Sequence, residues 1–567
     1  MDGTERTWFA SYPPGIPRTI DPASVPTLVR LFEDSFARNG PRVALTCLGA
    51  NLLYSELDRD SAAFAAWLQS RGVAPGDRVA IMTPNVLHFP IAFAGALRAG
   101  AVAVNVNPLY TAKELEHQLR DAGAQTIVVL ENFAHTVAAV AQSAGLRNIV
   151  VCSLGEMYGF PKGLVVDFVV RHVKGMVKPY SLPGSVRFRA ALAAGRGMQR
   201  RPVDVKPGDL AVLQYTGGTT GVSKGAMLLH SNLVANVLQI DAWSEPCFRR
   251  IPNGEPPCFV TALPLYHIFA LTACLLSATF AGGRCILIPN PRDFASVVKA
   301  LRGERFHVFP AVNTLFNALC DYEPFRHLDF SHLVRSVGGG MAVQEVVARR
   351  WKEMTGSAIC EGYGLSESSP VATCNPADIT DYTGTIGIPL SSTDVAILDD
   401  GGRQLPVGQE GEIGIRGPQV MAGYWKRPDE TAKVMTAEGW LRTGDIGVMD
   451  ERGYTRIVDR KKDMILVSGF KVFPNEVEAV VSSHPGVAEV AAIGVPDPHS
   501  GEVVKLFVVR RDPALRAEDL LEYCRENLSG YKRPRSIEFR TELPKSNVGK
   551  ILRRELRETS RSAASAT

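Results

Sequence analysis

The sequence predicts an α/β protein with a large N-terminal domain of parallel-rich sheets and helices, a β-rich subdomain and a small α+β C-terminal domain. Three observations predict this architecture. Strand-like and helical segments alternate over residues 52–130, and the pattern returns after Asp209 and again after Arg284. Short strand-like runs separated by glycine turns follow from Thr383 to Gly423. Strands that alternate with crossover helices are typical of a mainly parallel sheet covered on both faces.

The first alternating region sets the element order. Turn signals such as Ala74-Pro75-Gly76-Asp77 and Arg98-Ala99-Gly100 separate its segments. The predicted elements are, in order, the helix Ser55–Gln69, the strand Arg78–Met82, a helix that ends at Leu97, the strand Ala101–Asn105, the helix Ala112–Asp121 and the strand Thr126–Leu130.

The composition is that of a globular protein with several cores. The chain has 567 residues, of which 46% are hydrophobic and 21% charged, so disordered, collagen-like and small disulfide-rich proteins are excluded. Lys and Arg number 62 and Asp and Glu 58, for a net charge of +4. This balance gives no sequence-wide field for a nucleic-acid partner. The ten cysteines form no C-x-x-C pair, which predicts buried free thiols in a reducing cytoplasm.

The main domain boundary is predicted at the charged cluster Asp459–Asp463. It divides the chain into a large domain (1–458), a hinge (459–463) and a small C-terminal domain (464–567). No apolar signal-peptide region is expected in Met1–Pro17. The uncharged stretch Phe259–Gly283 contains Pro264 and a histidine, which favours a buried strand, turn and helix over a membrane span. A homodimer is compatible with this organisation.

A glycine- and threonine-rich segment, Thr216–Gly225, follows the strand-like run Asp209–Tyr215. Glycines allow close backbone approach, and the hydroxyl and N–H groups of such a loop can bind phosphate oxygens, with Lys224 adding charge. A Walker A loop has glycine before its lysine and Ser or Thr after it, whereas here Ser223 precedes and Gly225 follows. The P-loop NTPase interpretation therefore fails, and a flexible loop without function is the alternative.

Five segments together resemble the adenylate-forming superfamily, which contains acyl-CoA synthetases, peptide-synthetase adenylation domains and luciferases. They occur in the family's order and at similar separations, and narrower stretches resemble the bacterial long-chain fatty acid–CoA ligases. The resemblance implies activation of a fatty acid with ATP to an acyl-adenylate, followed by thioester formation with coenzyme A. The five segments are Tyr215–Gly225, Glu361–Glu367, Gly439–Asp445, Asp459–Lys471 and Pro544–Lys550.

The resemblance implies roles for individual residues. Lys550 would be the mobile cation near the carboxylate and α-phosphate, His267 would lie by the acyl carboxylate, and Glu367 would hold Mg²⁺ with Thr219 as hydroxyl partner. Each has an ordinary structural alternative, such as a surface lysine or a core histidine. The residues expected to bind the nucleotide are Thr216, Gly217, Gly218, Thr219, Thr220, Gly221, Lys224, Gly362, Tyr363, Gly364, Leu365, Ser366, Asp445 and Arg460.

The hinge is expected to let one active site serve two reactions. Pyrophosphate must leave before a long thiol enters, and a rotating small domain can present two faces in turn. By resemblance Lys462 is the pivot, Lys550 serves the first reaction, and Ser468, Gly469 and Phe470 face coenzyme A in the second. Without the resemblance, the charged run at 459–463 would be interpreted as a solvated linker.

Residues 163–178 are the candidate membrane contact. At helical spacing Val166, Val169, Val173 and Val177 share one face, and Arg171, Lys174 and Lys178 share another. A basic amphipathic helix can lie on an anionic membrane at the cytoplasmic face of the inner membrane, where a fatty acid would be collected. A strand, or a helix packed on the domain core, would show the same stripe.

Two other functions compete with the ligase. One is a fatty acyl-AMP ligase that delivers its product to a carrier protein, against which the coenzyme A-like residues at 468–469 argue. The other is a non-catalytic acyl-binding protein, which predicts a damaged catalytic set. The intact set argues against that function, and its members are Thr219, Lys224, Glu367, Asp445 and Lys550.

Overall fold

The chain forms two large sheets, two smaller sheets and helices that cover them, in a computed structural model that describes residues 6–216, 223–460, 462–468, 470–497, 499–546 and 549–564. The first large sheet has seven strands, all parallel to their neighbours except the last pair. In spatial order they are Val186–Arg187, Asn148–Cys152, Thr126–Leu130, Arg78–Met82, Val102–Asn105, Leu210–Thr216 and Lys224–Leu229.

The second large sheet has nine strands and a parallel centre. Antiparallel strands complete it at both edges. In spatial order the strands are Ile388–Pro389, Val371–Cys374, Ile359–Gly364, Arg335–Gly338, Val308–Ala311, Cys258–Thr261, Arg284–Leu287, Val43–Cys47 and Ala50–Leu53. The predicted α/β class with parallel-rich sheets is confirmed.

The two smaller sheets are mainly antiparallel. The four-stranded sheet takes two strands from the predicted β-rich region Thr383–Gly423 and two from beyond it. They are Asp394–Leu398 and Gly411–Arg416, then Leu441–Met449 and Thr455–Arg460. The five-stranded sheet contains Phe470–Val472, Ile465–Val467, Gly501–Arg510 and Val487–Asp497, with Ser536–Arg540 parallel to Gly501–Arg510. The predicted hinge at 459–463 lies between these two sheets.

The helices begin and end at recognisable signals. The Thr111 hydroxyl and Glu114 form a capping box at the start of Ala112–Ala122, and Gly123 ends that helix with φ 66°. The α-helices are Leu28–Asn39, Tyr54–Ser70, His88–Arg98, Ala112–Ala122, Ala134–Val140, Lys162–Phe168, Phe188–Arg196, His230–Phe248, Ile268–Ala270, Ser277–Phe280, Phe294–Leu301, Asn313–Asp321, Glu323–Arg326, Glu345–Thr355, Pro428–Val434, Pro474–Ser482, Ala517–Asn527 and Arg553–Ala564, and π-helices span Val169–Val173 and Leu271–Leu276.

Buried apolar side chains fill the layers between sheets and helices. Beside the nine-stranded sheet, Trp351 is fully buried and packs edge-on against Phe309 and Phe316, with ring centroids 5.2 and 4.6 Å away. All ten cysteines are buried and free, as predicted. Within the described ranges, no helix combines the length and apolarity that crossing a membrane requires. The stretch 259–283 instead continues the buried strand Cys258–Thr261 into helix, as expected.

The segment 163–178 is helical as far as Val173 and irregular after it, and its faces differ from the prediction. The Arg171 guanidinium points inward and forms a bidentate pair with Glu131, at 2.7 Å between Nη2 and Oε2. Glu131 is 1% exposed, and a buried carboxylate requires a cation close by. The assignment of Arg171 to an outward basic face is therefore wrong. Leu164 and Phe168 face outward instead, at 64% and 59% exposed.

Candidate active site

A cavity of about 1110 Å³ opens where the two large sheets meet the four-stranded sheet and the C-terminal segment. Its polar end lies at the carboxyl ends of parallel strands, the usual position of ligand sites in α/β folds. The sequence-predicted residues that line it are Thr216, Lys224, His267, Gly362, Tyr363, Gly364, Leu365, Ser366, Glu367, Asp445, Arg460, Lys462 and Lys550. The predicted residues outside the described ranges are Gly217, Gly218, Thr219, Thr220, Gly221 and Gly469.

Asp445 is the central acceptor at the polar end. The Tyr363 hydroxyl donates to its Oδ2 at 2.7 Å, and the Arg460 Nε lies 3.1 Å from its Oδ1. Adjacent antiparallel strands hold this pair, since Asp445 is opposite Arg460 in their register. A carboxylate has about four lone-pair directions, so Asp445 can accept from a ligand's hydroxyl groups while it keeps both contacts.

Glu367 and Lys224 lie on either side of Tyr424. The Tyr424 hydroxyl donates to Glu367 Oε1 at 2.7 Å, and no other described residue bonds the Glu367 carboxylate. The Lys224 ammonium lies 5.2 Å from the centre of the Tyr424 ring and pairs with Glu430 on the helix Pro428–Val434. This side of the cavity therefore offers a carboxylate oxygen and a cation to a ligand.

Lys550 enters the cavity from the C-terminal segment. The Thr314 hydroxyl donates to the carbonyl oxygen of Gly549 at 3.2 Å, which fixes the backbone beside Lys550. Gly549 has φ +82°, and a Cβ there would lie 2.7 Å from Thr314 Oγ1, so the contact requires glycine. Burial, with the nearby positive charge of Arg460, lowers the pKa of Lys550 to about 7.

His267 borders the cavity as a neutral imidazole. Burial lowers its pKa to about 4, and the charge of Lys550 acts in the same direction. Its Nδ1 accepts a hydrogen bond from the Phe269 N–H at 3.3 Å and caps the short helix Ile268–Ala270. The neutral ring therefore carries its proton on Nε2, which makes Nε2 a hydrogen-bond donor.

Of the residues predicted to face coenzyme A, the two that the structure describes, Ser468 and Phe470, do not line the cavity. The Phe470 side chain is 57% exposed and stacks on Tyr531, with ring centroids 5.0 Å apart. Ser468 is exposed and has φ +50°. Asp463, the last residue of the predicted hinge, pairs with Arg557 of the predicted small domain at 2.9 Å. This conformation thus places Lys550, and not Phe470, at the polar end of the cavity.

Comparison with known proteins identifies the family. Residues 32–425 match the AMP-binding enzymes, and residues 476–550 match the C-terminal domain of AMP-binding enzymes. The chain belongs to the family of AMP-binding enzymes. It is 52% identical to a long-chain-fatty-acid–CoA ligase of Escherichia coli O6:H1 over 98% of this chain and 99% of that one. The ligase of Yersinia pestis is also 52% identical, with 98% of each chain covered.

A solved relative supports the same fold. ATP-bound MatB from Rhodopseudomonas palustris superposes with a TM-score of 0.78 at 29% identity, over 94% of this chain and 98% of that chain. The resemblance to adenylate-forming enzymes that five sequence segments predict is therefore confirmed. The role of each individual site residue stays a prediction.

Sequence reasoning missed the residues that shape the rest of the cavity in this AMP-binding enzyme. Tyr424, which bonds Glu367, and Glu430, which pairs with Lys224, lie outside every recognised segment. Trp243 and Ser244, on the helix His230–Phe248, line the cavity away from its polar end.

The titration of Lys550 predicts a pH dependence. A lysine with a pKa of about 7 is charged below that pH and neutral above it. Because kcat/KM reports the free enzyme, we expect kcat/KM for ATP to fall as the pH rises above about 7. The decline of kcat itself, which is the basic limb of its pH profile, should lie at higher pH, since bound phosphates stabilise the charged form of Lys550.

Steady-state AMP formation measured across the pH range checks this expectation. The Lys550→Arg variant is the control, because a guanidinium does not titrate in this range. Its residual activity should show no limb near neutrality. If activity declined at the same pH in both proteins, the titrating group would be one other than Lys550.

Proposed function

We propose that this chain is an ATP-dependent long-chain fatty acid–CoA ligase that forms acyl-CoA, AMP and pyrophosphate. The observation that carries the proposal is one continuous cavity, in which a polar end beside Asp445 and Lys550 continues into an apolar end beside Trp243 and Phe259. A nucleotide and an aliphatic chain would meet where these ends join. Identity of about half of the residues to long-chain-fatty-acid–CoA ligases supports the same activity.

The reaction has two steps. In the first, a carboxylate oxygen of the fatty acid attacks the α-phosphorus of ATP, the bond to pyrophosphate breaks, and acyl-AMP remains. In the second, the thiol of coenzyme A loses its proton and attacks the acyl carbon, and the bond from that carbon to AMP breaks. Negative charge gathers on the α-phosphate in the first step, so that step needs cations.

The residues at the polar end fit these needs. Lys550 supplies a cation, and the Nε2–H of His267 can donate to the acid's carboxylate, since the neutral imidazole adds no competing charge. Asp445 accepts from the ribose hydroxyls, and Tyr363 packs against the adenine while its hydroxyl bonds Asp445.

Mg²⁺ fits the donor set on the phosphate side. The Glu367 carboxylate keeps one oxygen that no described residue bonds, and Mg²⁺ prefers one or two carboxylates together with substrate phosphates. Glu367 and the Thr219 hydroxyl would hold the ion, although Thr219 lies outside the described residues. Once bound, Mg²⁺ would neutralise phosphate charge.

The hinge proposal follows from the positions of the two motifs. We infer that the small domain turns about Lys462 after adenylation, so that Ser468, Gly469 and Phe470 replace Lys550 at the cavity. The exposure of Phe470 in the present conformation supports this, because an exposed aromatic side chain is available to a second surface. The hydrogen bond from Thr314 to the Gly549 carbonyl joins the two domains outside their cores, so it can break while both domains stay folded.

The test of the ligase is coenzyme A-dependent AMP formation with acids of about eight to eighteen carbons, since pocket depth sets the preferred length. We expect turnover to require coenzyme A and Mg²⁺ and to rise with chain length. Pyrophosphate release without thioester would shift the acceptor to a carrier protein. Absence of turnover with every acid would refute the ligase.

Peripheral membrane contact is a second part of the proposal. Exposed apolar side chains extend outward from one short segment beside exposed Lys162, Lys174 and Lys178, and such a surface matches an anionic bilayer. The inward pair of Arg171 with Glu131 anchors the segment to the body. The exposed apolar residues are Phe160, Leu164, Val165, Phe168, Val173 and Met176.

Replacing both Leu164 and Phe168 with aspartate should weaken sedimentation with phosphatidylglycerol vesicles at least about tenfold, because each side chain loses its apolar burial in the bilayer. Turnover of a soluble, shorter acid should not change. The control is Val407→Asp, which alters an exposed apolar residue far from the segment in sequence. Equal sedimentation of the double variant and the control would argue against this contact surface.

A further inference from the structure

The deep end of the acyl cavity contains one charged group among apolar neighbours. Trp243, Phe259, Val308 and Val337 line this end together with Arg335. Arg335 is only 6% exposed. A guanidinium is an unusual lining for a pocket that receives only hydrocarbon, since burying a charge without a counter-charge is costly.

The hydrogen bonds of Arg335 are incomplete. Its Nη1 donates to the Ser244 hydroxyl, its Nη2 lies 3.5 Å from the Cys374 sulfur, and its Nε has no partner. No carboxylate among the described residues pairs with it. Burial raises the pKa of the Cys374 thiol, so the thiol stays neutral and supplies no counter-charge.

The place of Arg335 in the sheet tells which part of a substrate it would meet. The strand Arg335–Gly338 runs from the deep end toward Gly339, which lines the cavity beside the nucleotide segment. At about 3.3 Å per residue, Arg335 lies roughly 13 Å from Gly339 along the strand. The acid's reacting carboxylate belongs at the polar end by His267 and Lys550, so Arg335 lies near the distal end of the chain.

We infer that Arg335 is a specificity-determining residue that receives an oxygen function at the distal end of the acyl chain, with a second carboxylate as the preferred group. A carboxylate would neutralise the guanidinium and accept from the second hydrogens of Nη1 and Nη2, in the charge-assisted geometry that arginine favours. The inference rests on the proposed acid-activating function and names α,ω-dicarboxylic acids as a substrate class of the same site.

The experiment compares monoacids with diacids of equal length, from decanedioic to hexadecanedioic acid, so that a mismatch of length does not hide the effect. AMP formation gives kcat/KM for each acid with the wild type, with Arg335→Met and with Arg250→Met. Arg250 is the matched control, because it contacts Cys247 and the Val334 carbonyl nearby but does not line the cavity.

We expect Arg335→Met to lower the diacid-to-monoacid ratio of kcat/KM by about 10- to 100-fold at the best length, because a charge-assisted pair is lost. Arg250→Met should keep the wild-type ratio. A decrease of less than tenfold in Arg335→Met, or an equal decrease in the control, would overturn the inference.

Two further measurements keep the inference testable. If Arg335→Met does not fold, the wild-type ratio decides: a value above about one in ten supports the inference and a lower value overturns it, because a pocket without a counter-charge rejects a buried carboxylate. Dissociation constants of the same acids, measured by isothermal titration, report the Arg335 contact without turnover. A failed turnover assay with normal diacid binding would therefore count against the ligase alone.

Discussion

Replacing Lys550 with alanine is expected to slow acyl-adenylate formation about 10²- to 10³-fold, the usual loss when one group that stabilises transition-state charge is removed. Thioester formation from supplied acyl-adenylate should stay close to the wild-type rate. The reason is geometric. Lys550 lines the cavity with Asp445 and Arg460 in this conformation, whereas the second reaction is proposed to use the face that carries Phe470.

The two half-reactions are measured separately. Pyrophosphate release from ATP and fatty acid reports the first, and acyl-CoA formation from synthetic acyl-adenylate reports the second. Lys505→Ala is the control, because Lys505 pairs with Glu538 within the small domain and does not line the cavity. Equal loss of both half-reactions in Lys550→Ala would contradict the two-state assignment of the small domain.

The sequence predicts the fold well where local patterns decide it. The strands Arg78–Met82 and Thr126–Leu130 have the predicted bounds, because they are apolar runs between turn signals in a parallel sheet. The helix Ala112–Ala122 extends one residue beyond the predicted end, to the residue before its glycine cap. Recognised segments likewise predict the polar end of the cavity, since each is contiguous in sequence.

Contacts between distant segments could not be predicted in this way. The pair of Arg171 with Glu131 joins residues 40 positions apart, and it reverses the polarity that helical spacing alone suggested for Arg171. The apolar end of the cavity is likewise formed by segments that lie far apart in the sequence. Ser244 and Arg335 meet across 91 positions, and no periodicity in either segment carries information about the other.

The network around Asp445 supports a second large effect. The Asp445 carboxylate pairs with Arg460, and Lys462 and Lys550 lie in the same cavity. Replacing Asp445 with asparagine would remove the counter-charge of Arg460 and one negative charge near Lys550, and it would weaken the acceptor for two ribose hydroxyls. Because hydrogen bonds to a charged group contribute about 1.5–3 kcal/mol each, we expect kcat/KM for ATP to fall about 100-fold.

The same substitution should also move the pH profile. The negative charge of Asp445 raises the pKa of Lys550 and partly opposes the effect of burial. Without that charge the pKa of Lys550 falls below about 7, so the basic limb of kcat/KM shifts to lower pH. A purely structural role for Asp445 would lower the rate without moving the limb.

Asp450→Asn is the matched control for this experiment, because Asp450 is an exposed turn residue that pairs with Arg452 at 3.0 Å and does not line the cavity. It should keep both the wild-type rate and the wild-type limb. Glu367→Gln, which alters a carboxylate on the opposite side of the cavity, should lower the rate with a smaller shift of the limb. The shift of the basic limb would then be larger for the carboxylate that lies nearer to Lys550. A slow Asp445→Asn enzyme with an unshifted limb would separate ribose binding from the charge state of Lys550 and would contradict the coupling between them.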